Sequence, residues 1–371
     1  MRSSTASIDE SCATRDAKTP NYTRSRADEE QDTNWTMVGT LNSVIANTRV
    51  NVLKFSYTHE DVFFGNPGYF QKGDQAALGS LLVLPGNIAV SADYVHASHR
   101  HLYMLQDINP GIRSSTVRTA TVTRIFPTSQ FAAAVLELVN AGTFDYNGLQ
   151  TSVQKRFSNN YQFRLSYTFS RGRGTVNAPG ATDQITWATV DPVTKITDLH
   201  MDQREALGDQ DRPHILSVNG SIIVPHTGGL NLSGVWQYNS GTPFSIINST
   251  TDANRNGQLT DDLAPAGTYS GAAGNPNAIT VDNKGGFNGA RGPDFSILSM
   301  RTAYRFKLPG GGNRRVMAYV DIFNLTNRAN FNSPATNGAA DIRDAANFLI
   351  VRSIRNGGPS RTAQFNVRYD F

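Results

Sequence analysis

A short stretch in the second half of the chain, "DANRNGQLTDD", carries oxygen-bearing side chains at regular spacing. Asp252, Asn254 and Asn256 stand at positions 1, 3 and 5 of the stretch, and Gly257 follows at position 6. Calcium is bound by a cage of carboxylate and carbonyl oxygens, and a glycine at the sixth position permits the sharp turn that such a loop needs. The spacing therefore indicates a calcium-binding loop.

The end of this stretch departs from the usual calcium loop. Position 12 is Leu263, where a glutamate would bind the ion through both oxygens, although Asp261 or Asp262 could take its place. Runs of Asn, Asp and Gly are also typical of exposed turns that hold no ion, so both interpretations stay open. A calcium site would use Asp252, Asn254, Asn256, Asp261 and Asp262, and no other cofactor is predicted.

Three histidines lie close together in "HASHRH", at His96, His99 and His101. Imidazole is a common ligand for transition metals, so the group could bind one. The spacing is irregular, however, and the next carboxylate is Asp107. A basic exit from a strand into a loop explains the same residues more simply.

A charged run leads into a later strand. It contains Asp202, Arg204, Glu205, Asp209, Asp211, Arg212 and His214. Carboxylates beside a histidine could act as acid and base in a hydrolase. No G-x-S-x-G elbow, phosphate-binding glycine loop or zinc-binding H-E-x-x-H motif supports that chemistry. We interpret the run as a charged network at a strand end and expect that the protein is not an enzyme.

Composition limits the classes that need to be considered. The chain has 371 residues, a net charge of +4 and a mean hydropathy of −0.37. The charges are spread along the chain, which argues against nucleic-acid binding. No stretch reaches the roughly 18–20 apolar residues of a membrane-spanning helix. The single cysteine, Cys12, excludes an internal disulfide framework.

Alternation of apolar and polar residues with period two is the main structural signal, and it predicts β-strands. In "YQFRLSYTFSR", Tyr161, Phe163, Leu165, Tyr167 and Phe169 form one row, and polar side chains form the other. Similar sorting predicts strands at 35–45, 51–58, 88–96, 214–224, 230–238 and 298–306, and less cleanly sorted strands are predicted at 145–157 and 314–324. The best candidate for a helix is 129–140, as a short helix within a loop.

The connections between these strands alternate in length. Short turns are predicted near 46–47, 85–87, 158–160, 225–229 and 308–313. Long polar connections are predicted near 60–75, 99–143, 172–210, 241–293 and 325–360. A transmembrane β-barrel produces this alternation, because one rim carries tight periplasmic turns and the other carries extended extracellular loops.

The chain ends on "TAQFNVRYDF", which reads as a closing barrel strand with Phe365, Val367, Tyr369 and Phe371 facing lipid. The prediction is an all-β, antiparallel barrel segment of about 11 strands covering 34–371, after a polar leader or extracellular loop at 1–33. The leader has no apolar core and is not a signal peptide. An odd count is unexpected for a whole single-chain barrel, so the segment reads as part of one.

Four stretches resemble the C-terminal barrel region of TonB-dependent outer-membrane receptors. They are "YNGLQTSVQKRFSNNYQFRLSYTFSRGRG" (146–174), "DQDRPHILSVNGSIIVP" (209–225), "VDIFNLTNRANF" (320–331) and the terminal "FNVRYDF". The similarity is greatest to Oar-like receptors, which carry a carboxypeptidase-regulatory-like domain ahead of the plug. The resemblance implies the C-terminal half of a 22-stranded barrel in the outer membrane of a Gram-negative bacterium.

The same resemblance implies a set of partners. They are outer-membrane lipid and lipopolysaccharide, the barrel-assembly machinery, an N-terminal half-barrel and plug that the sequence does not contain, and the TonB complex through that plug. On this basis we expect a receptor fragment for uptake of a large ligand that is not active alone. The alternatives are a passive pore formed with other chains and a soluble all-β binding protein.

Overall fold

The structure is a computed structural model of the chain. It describes residues 3–9, 30–46, 49–64, 70–107, 109, 111–124, 135–175, 183–185, 189–190, 197–198, 206–207, 211–253, 255–260, 262–307, 315–355 and 358–370.

Twelve strands follow one another across the main sheet. They are β1 (Ser3–Asp9), β2 (Glu30–Ala46), β3 (Arg49–Phe64), β4 (Phe70–Leu84), β5 (Ile88–Asp107), β8 (Leu136–Ser158), β9 (Tyr161–Gly174), β14 (His214–Ile223), β15 (Leu230–Asn239), β20 (Phe295–Lys307), β21 (Arg315–Phe323) and β22 (Thr362–Asp370).

The remaining elements are short. They are β6 (Gly111–Arg113), β7 (Val122–Arg124), β10 (Asp183–Ile185), β11 (Thr189–Val190), β12 (Thr197–Asp198), β13 (Ala206–Leu207), β16 (Pro243–Phe244), β17 (Gly267–Ser270), β18 (Thr280–Asn283), β19 (Ala290–Arg291) and a 3-10 helix at Pro334–Asn337. Among the described residues, no helix is long and apolar enough to cross a membrane.

Each of the twelve strands pairs antiparallel with the next one in the chain. The short strands β10 and β13 are added to β5 and β9 and bring the sheet to 14 strands. The predicted all-β antiparallel fold is therefore confirmed. Over the described residues, β1 and β22 are the two edges and do not pair with each other.

The strand β1 lies within the predicted leader, at residues 1–33. It pairs with β2 from Ser3 opposite Asn42 to Asp9 opposite Thr36. The sequential series of twelve strands therefore has one strand more than the eleven that alternation predicted. Residues 10–29 lie outside the described part of the chain, so the division at residue 33 stays a prediction.

Several strands continue beyond their apolar rows. The long connection predicted at 60–75 is wrong, because β3 runs to Phe64 and β4 begins at Phe70, which leaves only 65–69 between them. The connection predicted at 99–143 begins inside a strand, because β5 runs to Asp107. Backbone pairing does not need apolar side chains, and a ladder can extend after alternation ends. The predicted helix at 129–140 is wrong where it can be compared, because β8 begins at Leu136.

The two faces of the sheet differ in the way the alternation predicts. Phe365, Val367 and Tyr369 of β22 are 69%, 61% and 49% exposed and share one face. Phe371 lies outside the described residues. The opposite face carries Arg301 and Asp321, whose guanidinium and carboxylate are 2.5 Å apart at the closest atoms. Apolar side chains thus point away from the concave, polar side of the sheet.

A compact hydrophobic cluster lies in the long connections and not in the sheet. Its buried members are Phe244, Ile246, Ala264, Val281, Ala290, Ala340, Phe348 and Leu349. They come from the connection between β15 and β20 and from the connection between β21 and β22. We call these two connections, residues 240–294 and 324–361, the loop cap. Each large apolar side chain buried there contributes roughly 1.5–3 kcal/mol.

Lys155 stabilises the tight turn between β8 and β9. It interrupts an apolar row, yet it is only 4% exposed. Its ammonium group donates hydrogen bonds to the Ser158 hydroxyl at 2.7 Å and carbonyl at 2.9 Å, and to the Tyr161 carbonyl at 3.2 Å. The same group lies 3.9 Å from the centre of the Tyr161 ring. The lysine therefore folds back and satisfies carbonyl groups at the turn.

We expect Lys155→Met to lower the free energy of unfolding by about 1–3 kcal/mol, because carbonyl groups at the turn lose a charged donor. The measurement is urea unfolding of the chain in detergent micelles. Lys54→Met is the matched control, since Lys54 is exposed on β3. Equal losses in the two variants would contradict the role assigned to Lys155.

Candidate functional site in the loop cap

Arg113 and Asp252 form a buried ion pair that joins β6 to the loop cap. The guanidinium Nε lies 2.7 Å from Asp252 Oδ2, and the two side chains are 7% and 0% exposed. The other guanidinium nitrogens donate to the carbonyls of Arg118 at 2.5 Å, Ala120 at 3.1 Å and Gly257 at 3.1 Å. The Arg113 guanidinium thus binds groups from two connections that are distant in sequence, the one between β5 and β8 and the one between β15 and β20.

The Asp252 carboxylate also organises its own turn. It accepts the backbone N–H groups of Asn256 at 3.1 Å and Gly257 at 2.9 Å. Gly257 has φ = 82°, and a Cβ built there would lie 3.1 Å from the Gly111 Cα. A side chain at this position would be strained and would press on β6. The glycine predicted for a sharp turn is therefore required by the observed turn.

The predicted calcium residues are arranged mainly as hydrogen-bond acceptors within the protein. Asn256 Oδ1 accepts the Gln258 N–H at 2.8 Å, and Asp262 Oδ1 accepts the Ala253 N–H at 2.9 Å. Asp252 faces Arg113, so calcium would have to displace the guanidinium.

The other two predicted ligands, Asn254 and Asp261, lie outside the described residues. Within the described part of the chain, no three His, Cys, Asp or Glu side chains are grouped to hold a metal ion. Calcium binding stays a prediction.

A second polar cluster ties the two halves of the loop cap together. The Ser249 hydroxyl donates to the Asp341 carboxylate, and the Ser249 N–H donates to Asp341 Oδ1 at 3.2 Å. Arg118 donates to the Ser249 carbonyl at 2.9 Å. Burial would raise the pKa of the Asp341 carboxyl, but hydrogen bonds from Ser249 and from the Arg343 N–H outweigh it, so this pKa is lowered.

Only the end of the charged run at 202–214 is described, and there Asp211 and His214 have different partners. Asp211 is buried, pairs with Arg291 of the loop cap and accepts the Gly172 N–H at 2.8 Å. His214 instead contacts the Tyr167 hydroxyl, 2.8 Å from its Nδ1, on the outward face. Asp211 and His214 thus bind different partners. Asp202, Arg204, Glu205 and Asp209 lie outside the described residues.

The three histidines of β5 do not converge either. His96 Nδ1 lies 2.9 Å from Asn147 Oδ1. His99 is an odd number of positions away, so it projects from the opposite face, next to Gly73. His101 has φ = 58°, where the register of the ladder shifts. The arrangement agrees with a basic strand end more closely than with a metal site.

The concave face of the sheet forms a second polar surface, away from the loop cap. A groove of about 600 Å³ is lined by residues that include Gln154, Arg164, Asn219, Arg301 and Asp321. The Arg301 guanidinium binds the Asp321 carboxylate through two contacts and stacks 4.5 Å from the centre of the Tyr319 ring. This face can therefore contact a polar partner or water.

The residues that hold the loop cap were not identifiable from local sequence. Arg113 and Asp252 are 139 positions apart, and Ser249 and Asp341 are 92 apart. Arg113 lies in a connection with no motif around it. Only the folding of both long connections over the same end of the sheet brings these partners together.

Replacing Arg113 should loosen both connections that it joins. We expect Arg113→Gln to cost about 3–5 kcal/mol, because Asp252 stays buried without its cation. Limited proteolysis should then cut residues 113–124 and 249–260 much faster. Lys284→Gln is the control, since Lys284 is an exposed cation in the same loop cap. Similar protease resistance in wild type and Arg113→Gln would refute this role.

The lowered pKa of Asp341 predicts a loss of loop-cap stability in acid. A carboxyl whose pKa is lower when folded stabilises above its unfolded pKa, near 3.8, and loses that contribution as pH falls through the folded pKa. Amide exchange at residues 247–250 should therefore accelerate below about pH 4, after correction for intrinsic rates.

Asp341→Asn should exchange faster already at neutral pH and respond less to acid. Asp344→Asn, an exposed change in the same connection, is the control. If Asp341→Asn kept the acid response of the wild type, another group would be responsible.

Solved structures of bacterial outer-membrane proteins resemble the chain in backbone arrangement. The outer membrane transporter YddB from Escherichia coli is 10% identical with a TM-score of 0.44, over 92% of this chain and 54% of the transporter. The pyoverdine outer membrane receptor FpvA from Pseudomonas aeruginosa PAO1 is 10% identical with a TM-score of 0.39, over 94% and 44%.

The β domain of the Bordetella autotransporter BrkA is 8% identical with a TM-score of 0.24, over 87% of this chain and 89% of that domain. The chain spans about half the length of the transporter and less than half that of the receptor. A comparison with curated proteins gives no match.

One protein family matches over most of the chain. Residues 82–364 fit the outer membrane beta barrel domain, and they run from the last residues of β4 to the first three residues of β22. This is about three quarters of the sequence. The matched region contains the loop cap and the polar concave face as well as the strands. The chain belongs to the outer membrane beta barrel domain family.

Proposed function

We propose that this chain is the C-terminal barrel part of a TonB-dependent, Oar-like receptor that takes up a large ligand across the outer membrane. The observation that carries the proposal is the form of the sheet. From β4 onward its strands alternate short and long connections, its outward face is apolar, and its two edge strands do not pair over the described residues. A sheet of this kind needs further strands to complete its backbone hydrogen bonds in lipid.

In the complete receptor, each surface would have its own role. The polar concave face, with Arg164 and the Arg301–Asp321 pair, would contact the plug. The loop cap would lie at the extracellular mouth, where its polar surface would help to bind the ligand. The TonB complex would act through the plug, and the chain alone would not transport. The proposed role is non-enzymatic.

The surroundings of the barrel follow from the same proposal. Outer-membrane lipid and lipopolysaccharide would cover the apolar outward rows. The barrel-assembly machinery would act on the closing strand, with Phe365, Val367 and Tyr369 on its outward face. Membership of an outer-membrane family disfavours the soluble all-β alternative.

A passive pore formed with other chains is the second candidate, and the direction of the edge strands favours it. β1 is antiparallel to β2, and β22 ends an alternating series of twelve strands. The two edges therefore run in opposite directions. β22 of one copy could pair antiparallel with β1 of another, and an even total would close a barrel.

The DNA upstream of the Met1 codon provides the first test. We expect it to encode, in frame, a signal peptide, a plug and roughly ten further alternating strands, which with the twelve strands of this chain would complete a barrel of even strand number. Unrelated upstream sequence would contradict the receptor proposal. Conductance of the chain alone in a planar bilayer would then identify the pore, because a receptor fragment should give no stable channels.

A further inference from the structure

We propose that the concave face of the sheet, at the end with tight turns, binds an acidic segment of the plug through carboxylates that pair with Arg156 and Arg164. The inference rests on the proposed function, which places a plug inside the barrel, and it adds the chemistry that this plug must present. It concerns the groove of about 600 Å³ that extends from β8 to β21. We call this surface the basic groove.

The basic groove has cationic walls and a floor of small side chains. Arg156 and Arg164 line it from β8 and β9, and Arg301 lines it from β20. The sheet register aligns four inward side chains from β9 to β20. They are Gln162, Ser221, Ser233 and Arg301. Three steps between neighbouring strands make this floor about 14 Å wide, which is enough for an extended segment of a partner.

The charged residues that line the basic groove are mainly cations. They are Lys155, Arg156, Arg164, Arg301 and Asp321. Arg301 already binds the Asp321 carboxylate at 2.5 and 2.9 Å, and the Lys155 ammonium donates to carbonyls of its own turn. Arg156 and Arg164 are exposed, and among the described residues neither side chain has a hydrogen bond or an ion pair. These two arginines therefore carry the excess positive charge of the groove.

Other carboxylates on the strands beside the basic groove lie well away from it. Asp93 of β5 is on the level of Thr168 in the register. Thr168 is four residues from Arg164 along β9, or about 13 Å. On the other side, Asp370 of β22 lies six residues, or about 20 Å, from the level of Asp321. Neither acid is close enough to pair with the two arginines.

The tight turns at this end of the sheet contain no acidic residue. Their sequences are PGN at 85–87, NN at 159–160, VPHTGG at 224–229 and LPGGGNR at 308–314. The acidic residues of 202–209 belong to a connection that begins after Gly174, at the opposite end of β9. Gly174 is ten residues from Arg164, or about 33 Å along the strand. The counter-charge for the arginines is thus expected from a partner.

The plug of the proposed receptor would cover the basic groove and exclude water from it. A cation that is buried without an anion keeps its full desolvation cost, whereas pairing with a carboxylate recovers much of it. A guanidinium also binds a carboxylate through two parallel hydrogen bonds. The plug segment against β8 and β9 therefore carries at least two Asp or Glu side chains, one for each unpaired arginine. A large ligand fits this place less well, because it would first meet the loop cap at the other end of the strands.

The test uses short peptides as probes of the basic groove. The full chain is refolded in dodecylmaltoside micelles, and binding of fluorescently labelled hexaglutamate is measured by anisotropy, with hexaglutamine as the uncharged comparison. We expect Arg156→Gln with Arg164→Gln to weaken hexaglutamate binding at least about tenfold, because two charge-assisted contacts are lost. Arg171→Gln with Lys284→Gln removes the same charge from exposed positions outside the groove and should bind as the wild type does.

Charge reversal provides a second variant. Arg156→Glu with Arg164→Glu should lose hexaglutamate and bind hexalysine. Free glutamate at the same carboxylate concentration distinguishes a groove for a peptide from a site for small anions, and it should leave the peptide bound. Equal hexaglutamate binding in the two Gln double variants, no binding by the folded wild type, or displacement by free glutamate would overturn the inference. Heat-modifiable migration on gels shows which variants have folded.

The inference and the receptor proposal can fail separately. A plug encoded upstream, beside a folded groove that does not bind hexaglutamate, would reject only the inference. Upstream DNA without a plug would reject the receptor and, with it, the plug as the occupant. If the chain folds only with its N-terminal half-barrel, the Gln variants are made in the complete receptor. There the groove variant should lower the urea concentration at which the plug becomes protease-sensitive, and an unchanged concentration would overturn the inference.

Discussion

The whole molecule depends on one constraint, that each backbone polar group of a strand in an apolar medium must find its partner in a neighbouring strand. Over the described residues, every strand of the twelve-strand antiparallel ladder has a neighbour on both sides except the edges, β1 and β22. Backbone hydrogen bonds between strands, and not a packed interior, hold the sheet together. Apolar and polar side chains can therefore alternate between its two faces. This explains a sheet whose apolar residues are largely exposed.

The buried hydrophobic cluster lies in the loop cap and not in the main sheet. Phe244, Ile246, Phe348 and Leu349 pack together above the sheet, although they come from two separate connections. Two ion pairs with buried carboxylates connect the loop cap to the rest of the chain. Arg113 pairs with Asp252, and Arg291 pairs with Asp211. In water, these long connections need a hydrophobic cluster of their own, since the outward rows of the sheet cannot supply one. The loop cap is therefore a folded unit with a hydrophobic core of its own.

Local sequence predicted the strands well and the site poorly, for a physical reason. Tyr161, Leu165 and Phe169 carry the period of a strand in their spacing, and the register of β9 agrees with it. The Asp252 stretch correctly indicated a tight turn with Gly257 at its bend. It could not indicate Arg113, because an oxygen-rich turn can face either a metal ion or a guanidinium. Which cation faces the turn depends on a distant segment.

The sequence by itself determined the strand period, the polarity of the two faces and, from β4 onward, the alternation of connection lengths. These properties depend on neighbouring residues, and the pleat of a strand converts them directly into position. Tertiary structure decided how far each strand continues, where the buried cluster lies and which charges meet. It also separated Asp211 from His214 and His96 from His99, which the sequence had placed side by side. Such contacts join residues that only the folded chain brings together, so no local pattern could carry them.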